Sequence, residues 1–190
     1  VVAVPGSAGG AWAMNAGSRG RELKDLTVSL TTVDTRGEPV KRSRKDLPFG
    51  YRKLDLPPGE IIVSGILKVD PGDRPHIARC LRDLQALRKK TQPWRERSGG
   101  SVFKNPPGDF AGRLIEAAGC RGLLRGDAQV SEKHANFIIN RGEARARQVL
   151  DLMRIVRQRV QKHSGIVLEP EIRLWGCSLK ALPAQERSTL

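Results

Sequence analysis

The chain is short of the residue types that would settle its chemistry at a glance. Its three cysteines, Cys80, Cys120 and Cys177, are odd in number and far apart. That spacing excludes a disulfide framework and a zinc pattern, and it points to a reducing cytoplasm. One tyrosine and four phenylalanines leave too few aromatics for the stacking surface of a single-strand nucleic-acid binder. No apolar run approaches the ~20 residues of a membrane span, so no membrane partner is expected. Neither G-x-G-x-x-G nor the G-K-S/T of a phosphate-binding loop is present, which removes the two commonest nucleotide fingerprints. The start, VVAVPGSAGG, has no initiator Met and no basic flank; it reads as a chain entered partway through rather than as a signal peptide. There are no internal repeats.

What is present in excess is positive charge. The 190 residues carry a formal net charge of +14 and a pI near 10.5, which favours anionic partners. The basic residues are spread along the chain rather than blocked into a tail, so a phosphate-bearing small molecule fits better than dedicated nucleic-acid binding. Hydrophobic content of 38% is enough for a buried core.

The first seventy residues read as strands. Residues 26–34 alternate, residues 35–37 turn, and 38–41 return. Residues 43–47 suggest one helical turn, and 60–69 a further strand after Pro57-Pro58-Gly59. Pro71 to Pro75 marks a domain boundary. Beyond it, residues 75–90 carry Ile77, Cys80, Leu81, Leu84 and Leu87 at helical spacing. Residues 129–139 contain an apolar strand at 136–139. Residues 143–163 form a basic helix with a buried stripe of Ala146, Val149, Leu150, Met153, Val156 and Val160, closed near Gly165. Residues 166–175 read as a final strand, and 177–190 as a frayed tail.

Residues 98–119, SGGSVFKNPPGDFAGRLIEAAG, are the most informative stretch. Ser101, Lys104 and Asn105 lie between Gly99-Gly100 and Pro106-Pro107-Gly108, a backbone unsuited to a helix or a central strand. Asp109 is expected to cap a short helix with Ala111, Leu114, Ile115 and Ala118 on its apolar side and Gly119 at its end. Polar side chains on a stiff loop at a helix start are typical of a substrate site. In 166–175, period-two spacing puts Ile166, Leu168, Pro170, Ile172 and Leu174 on one side and Glu169, Glu171, Arg173 and Trp175 on the other. The charged side is either a solvated edge or a carboxylate aimed into a cleft opposite Ser101. The glycine-rich run 3–20 would let backbone amides approach a phosphate or a planar ring, or is simply a turn.

Taken in order, AVPGSAGGAWAMNAG, FGYR, TQP, SGGSVFKNPPGDFAGRLIEAAG, SEKHANFIIN and LEPEIRLWG closely resemble the UDP-N-acetylenolpyruvoylglucosamine reductases. These are the flavoenzymes that make UDP-N-acetylmuramate for peptidoglycan. The resemblance runs from about residue 2 to 176. With no tyrosine-bearing insertion before Ser101, the chain looks like the shorter subtype. The resemblance implies an α+β chain: the second half of a vanillyl-alcohol-oxidase-like FAD-binding domain at 1–72, then an α/β substrate-binding domain at 73–176.

It also implies a mechanism. NADPH reduces FAD, and the flavin passes hydride to the enolpyruvyl alkene of UDP-N-acetylglucosamine enolpyruvate. Charge then develops beside the substrate carboxylate. By resemblance Arg52 stabilises that charge, Glu171 polarises or orients the intermediate, and Ser101 delivers the proton. A carbanion is basic enough to take a proton from a hydroxyl held in contact. Asn105 matches a substrate-contacting position. His134 is either a second one or a structural histidine tied to its loop. Lys104 either meets the diphosphate or is solvated, and His76 and His163 are surface residues. Gly6, Ser7, Gly9, Gly10 and Asn15 would contribute to the flavin site, with Arg19 standing where an aromatic is common.

The family pattern has an upstream flavin-binding subdomain that nothing here matches. The chain alone is therefore expected to bind FAD poorly, reduce little, and expose an apolar face. Competing readings are a non-catalytic UDP-sugar binding module, a basic nucleic-acid binding module, and another oxidoreductase of the same FAD fold; SVFKNPPGD argues against the last.

Overall fold

The computed structural model of the chain describes residues 6–18 and 20–176. Cys177, the expected tail at 177–190 and the position of Arg19 lie outside the described residues. Helix and strand are mixed, in two compact units, Val1–Ala86 and Leu87–Leu190.

The first unit opens with α1 (Ala8–Ala13), so part of the glycine-rich run is helical. Ser7 sits at its N-cap, and Ser7 Oγ accepts from the Gly10 N–H at 3.1 Å. Two short strands, β1 (Gly17–Ser18) and β2 (Arg21–Glu22), pair with each other. The main sheet has three antiparallel strands, β3 (Thr27–Val33), β4 (Pro39–Ser43) and β7 (Ile61–Leu67), in the order β4-β3-β7. Between them lie a 3-10 turn, Arg44–Asp46, and a small hairpin of β5 (Phe49–Gly50) and β6 (Lys53–Leu54). Trp12, Leu23, Leu30, Leu47 and Leu54 form the core. Trp12 reaches the sheet because residue 65 is glycine: a Cβ there would stand 2.6 Å from both the Trp12 ring and Leu30. Strand β7 is an edge, and it leaves Ile61, Val63 and Ile66 more than half exposed.

Helix α2 (Arg74–Thr91) crosses from one unit to the next. Its expected apolar stripe is not buried: Ile77 is 45% and Leu87 40% exposed, and no residue of the helix is fully buried.

The second unit is a four-stranded antiparallel sheet with two helices. Its strands are β8 (Arg97–Ser101), β9 (Leu124–Arg125), β10 (Ala128–Val130) and β11 (Phe137–Asn140), in the order β8-β11-β10-β9. Helices α3 (Ala111–Ala117) and α4 (Ala146–Ser164) share its core, to which Leu114, Ile115, Leu150, Leu152, Met153, Val156 and Val160 contribute. Gly165, at φ 73°, closes α4.

Three local readings are corrected, and one is extended. Residues 97–101 form an edge strand rather than a loop, because a bulge between the Ser101 and Ser98 pairings absorbs Gly99 and Gly100. The apolar strand expected at 136–139 is β11, and a further short strand, β10, precedes it across a turn closed where the Phe137 N–H donates to His134 O at 3.0 Å. Asp109 does not cap α3. Phe110 holds the N-cap position, Asn105 Oδ1 accepts from the Ala111 N–H at 3.0 Å, and Asp109 turns to Arg113 instead. Residues 166–175 form no strand beyond one bridge, Phe103 to Pro170, because proline has no N–H to extend the ladder. The alternation survives all the same: Leu168 is buried, while Val167, Glu169, Arg173 and Trp175 are exposed.

Candidate functional site

The second unit gathers most of the expected polar residues around one extended segment, Val102 to Lys104. Ser101 ends β8 half-buried, and no group among the described residues hydrogen-bonds its hydroxyl. The next residue, Val102, offers its carbonyl to the Glu171 N–H at 2.8 Å and the Ile172 N–H at 3.5 Å. Ser101 and Glu171 are thereby carried on neighbouring backbones. Glu171 is half-buried, unlike Glu169 and Arg173 on the same side of that stretch.

Two further residues along, the Lys104 N–H donates to Glu169 O at 2.8 Å, and the Lys104 ammonium pairs with the Glu169 carboxylate. Lys104 is therefore neither bare nor free to extend, and Glu169 is its counter-ion. Arg157 Nε, from α4, donates to Leu168 O at 2.9 Å and fixes the start of the same stretch. Asn105 spends Oδ1 on the α3 amide, while its Nδ2 has no partner among the described residues.

His134 stands at the turn before β11. Its Nδ1 accepts from the Asn136 N–H at 3.2 Å, which places the ring proton on Nε2. The ring meets Phe137 edge-on, with centroids 4.9 Å apart. Burial pushes its pKa below the usual 6.5, so the imidazole is neutral near pH 7. His134 is thus tied to its loop backbone, with Nε2–H the edge left to a ligand.

Two features here escaped the sequence reading. Asn136 is 4% exposed and bonds both backbone groups of Phe103; an asparagine beside F-I-I gave no periodic signal. The Lys104–Glu169 pair joins positions 65 residues apart, a distance no local pattern spans.

The first unit holds Arg52 and the glycine-rich segment. Arg52 has a left-handed backbone, φ 56°. Its guanidinium lies over the Tyr51 ring at 4.8 Å, donates to Gly17 O at 3.1 Å, and pairs with Glu22 at 3.5 Å. Gly6 (φ 127°), Ser7, Gly9 and Gly10 surround the start of α1. Asn15 is different: it is fully buried at φ 42°. Its Nδ2 donates to Glu22 Oε2 and Gly50 O, and its Oδ1 accepts from the Lys24 N–H, at 2.9–3.0 Å. That side chain holds the fold and has no donor left for a ligand.

Among the described residues no helix is long and apolar enough to cross a membrane, and no three His, Cys, Asp or Glu side chains cluster to hold a metal.

Comparison with known proteins gives a consistent result. Residues 92–175 match the family described as UDP-N-acetylenolpyruvoylglucosamine reductase, C-terminal domain. The UDP-N-acetylenolpyruvoylglucosamine reductase of Acidiphilium cryptum is 48% identical over 173 residues, covering 91% of this chain and 56% of that protein. The same-named protein of Methylorubrum extorquens is 46% identical over 181 residues, covering 95% and 58%. The crystal structure of the Thermus caldophilus UDP-N-acetylenolpyruvylglucosamine reductase superposes with a TM-score of 0.81 at 41% identity, over 92% of this chain and 62% of that one. The chain therefore spans a little over half the length of the curated relatives it matches.

Proposed function

The chain belongs to the UDP-N-acetylenolpyruvoylglucosamine reductases, and on that footing we propose that it works in the reduction of UDP-N-acetylglucosamine enolpyruvate to UDP-N-acetylmuramate, a step of peptidoglycan precursor synthesis. In this reading residues 1–72 form part of an FAD-binding domain and residues 73–176 the substrate domain. The observation that carries it is the bond of the Val102 carbonyl to the Glu171 N–H, which puts Ser101 and Glu171 on neighbouring backbones inside the matched region.

The residues around α1 fit an FAD phosphate or ring edge in kind. The Ala8 and Gly9 N–H groups have no acceptor among the described residues, and nothing stands within 4 Å of where a Gly6 Cβ would be. The Gly9 N–H, with that of Ala8, would thus be offered, Gly6 and Ser7 would leave room for close approach, and Gly10, whose N–H is taken by Ser7 Oγ, would contribute only its lack of a side chain. Asn15 would act behind them, by holding the turn. The exposed apolar β7 edge is in keeping with a chain that spans part of its relatives' length.

FAD, reduced by NADPH, supplies hydride to the enolpyruvyl double bond when bound. The chain's residues manage the charge and the proton. Ser101 Oγ, with no hydrogen-bond partner among the described residues, would hold the proton that the resulting carbanion takes. The Glu171 carboxylate, carried on the backbone next to that of Ser101, would orient the intermediate. By the family resemblance Arg52, braced within the first unit by Glu22 and Gly17 O, would offer a fixed positive charge to the developing enolate. Asn105 Nδ2 and His134 Nε2–H are donors for the substrate's polar groups.

Calorimetric titration of the chain with UDP-N-acetylglucosamine enolpyruvate, beside a flavin absorbance titration, tests this. Saturable substrate binding supports the reading; substrate binding with no flavin uptake, even when the chain is joined to the upstream subdomain of the family pattern, favours a non-catalytic UDP-sugar module; no substrate binding sinks both. In a preparation that turns over, Ser101→Ala should leave flavin reduction by NADPH fast while blocking product formation. Equal slowing of both half-reactions refutes the proton-donor role.

A further inference from the structure

We infer that Asn136 is a positioning residue of this site: by clamping both backbone groups of Phe103, its buried carboxamide sets the spacing between Ser101 and Glu171. The inference rests on the reductase reading for the roles of those two residues, but not for the clamp itself.

The segment from Val102 to Lys104 continues β8 past the point where its neighbour stops. Strand β11 begins at Phe137, and the chain before it turns away at His134. The last backbone rung on that side is the Val102 N–H donating to Asn136 O at 2.9 Å. At Phe103 there is no strand residue left to pair with. The Asn136 side chain supplies the rung instead: Oδ1 accepts from the Phe103 N–H at 3.0 Å, and Nδ2 donates to Phe103 O at 2.8 Å. A primary amide offers the same donor and acceptor as a peptide group, so the carboxamide imitates one more residue of β11.

The other flank of the segment is the stretch bearing Glu169 and Glu171, bonded through Val102 O and the Lys104 N–H. Val102 to Lys104 is therefore strung between two supports, and its position decides where Ser101 lies relative to Glu171. Phe103 is 1% and Asn136 4% exposed, so water cannot replace a lost bond. The Asn136 backbone is itself held by His134 Nδ1. Leucine at 136 would match the volume and make neither bond, and glutamine would overreach by a methylene.

Aspartate provides the test, because its carboxyl imitates the carboxamide only when protonated. Neutral, it accepts from the Phe103 N–H and donates to Phe103 O. Ionised, it aims a second acceptor at that carbonyl. Burial and the facing carbonyl hold the introduced carboxyl neutral well above its usual pKa of about 3.9. His134, Lys104, Glu169 and Glu171 also titrate or carry charge nearby, so each value is taken as a ratio to wild type at the same pH.

In the full 190-residue chain, Asn136→Asp should be within about twofold of wild type near pH 5 in Phe103 amide exchange and in affinity for UDP-N-acetylglucosamine enolpyruvate. Near pH 8 it should show roughly tenfold faster exchange and tenfold weaker binding, with the Ser101 and Glu171 amide resonances shifted. Asn136→Leu should be impaired at both pH values; if it does not fold, the aspartate variant carries the test alone. An aspartate variant equal to wild type at both pH values, or equally impaired at both, overturns the inference. If wild type shows no affinity for the substrate, the reductase reading fails. The Ser101 and Glu171 resonances then decide on Asn136: pH-reversible shifts support the clamp, and unmoved resonances refute it.

Discussion

Replacing Asn15 tests how the first unit holds Arg52. Asn15 is fully buried, sits at φ 42°, and makes three side-chain hydrogen bonds. Asn15→Ala removes all three and leaves the Lys24 N–H, Gly50 O and part of the Glu22 carboxylate short of a partner. Each buried group left unpaired costs about 1–3 kcal/mol, with these at the lower end because Lys24 and Gly50 are only half-buried. Alanine in a left-handed conformation adds about 1–2 kcal/mol, which asparagine largely avoids. The sum is about 3–5 kcal/mol, a large part of the roughly 5–15 kcal/mol that holds a domain together. Asn15→Gly keeps the backbone conformation and should lose about 2–3 kcal/mol, so the gap between the two variants isolates the backbone contribution. Urea unfolding followed by circular dichroism, with a slope of about 2 kcal/mol per molar, should move the alanine variant's midpoint down by roughly 2 M. A loss below about 1 kcal/mol would refute the reasoning. So would an Arg52 that keeps its contacts, since Glu22 joins Asn15, Lys24 and Arg52 in one network.

Gly65→Ala forces a Cβ to 2.6 Å from the Trp12 ring and Leu30; it should cost about 1–3 kcal/mol by overpacking and shift Trp12 fluorescence, and an unchanged unfolding midpoint would contradict this. Asp109 is held at about 2, below its ordinary 3.8, first by the Arg113 side chain and then by the Phe110 N–H. Its folded pKa is lowered, so its stabilisation is complete above 3.8 and is lost as pH falls through about 2. Asp109→Asn should flatten the melting-temperature profile across that window. His134 is also lowered, from 6.5, by burial. The unfolded chain then binds more protons, and stability falls as pH drops below 6.5. His134→Gln should remove that slope, and an unchanged slope would place its origin elsewhere.

Much of this protein can be read in one dimension because the physical cause is local. Alternation gave β3 (Thr27–Val33) and β7 (Ile61–Leu67), the 3.6-residue period gave α4, and Gly165 and Gly119 mark helix ends because they take positive φ. Pattern matching identified the family without any fold at all. The motif that carries SVFKNPPGD also picked out Ser101 and Asn105 as polar residues beside a helix start, though it named the wrong cap. Only the tertiary structure could exchange Asp109 for Asn105 there, since the choice depends on which oxygen reaches the Ala111 amide after the turn closes.

The same limit explains the rest. Strand-like alternation in 166–175 was real, but a strand needs a partner that accepts its bonds, and Pro170 has no N–H to give. Asn15 looked like a ligand residue until its three internal bonds were located, and Asn136 looked like nothing until Phe103 arrived beside it from 33 residues away. Sequence fixes what each side chain is able to donate or accept; which group it meets is decided by chain segments brought together only on folding, where burial makes an unmet partner costly.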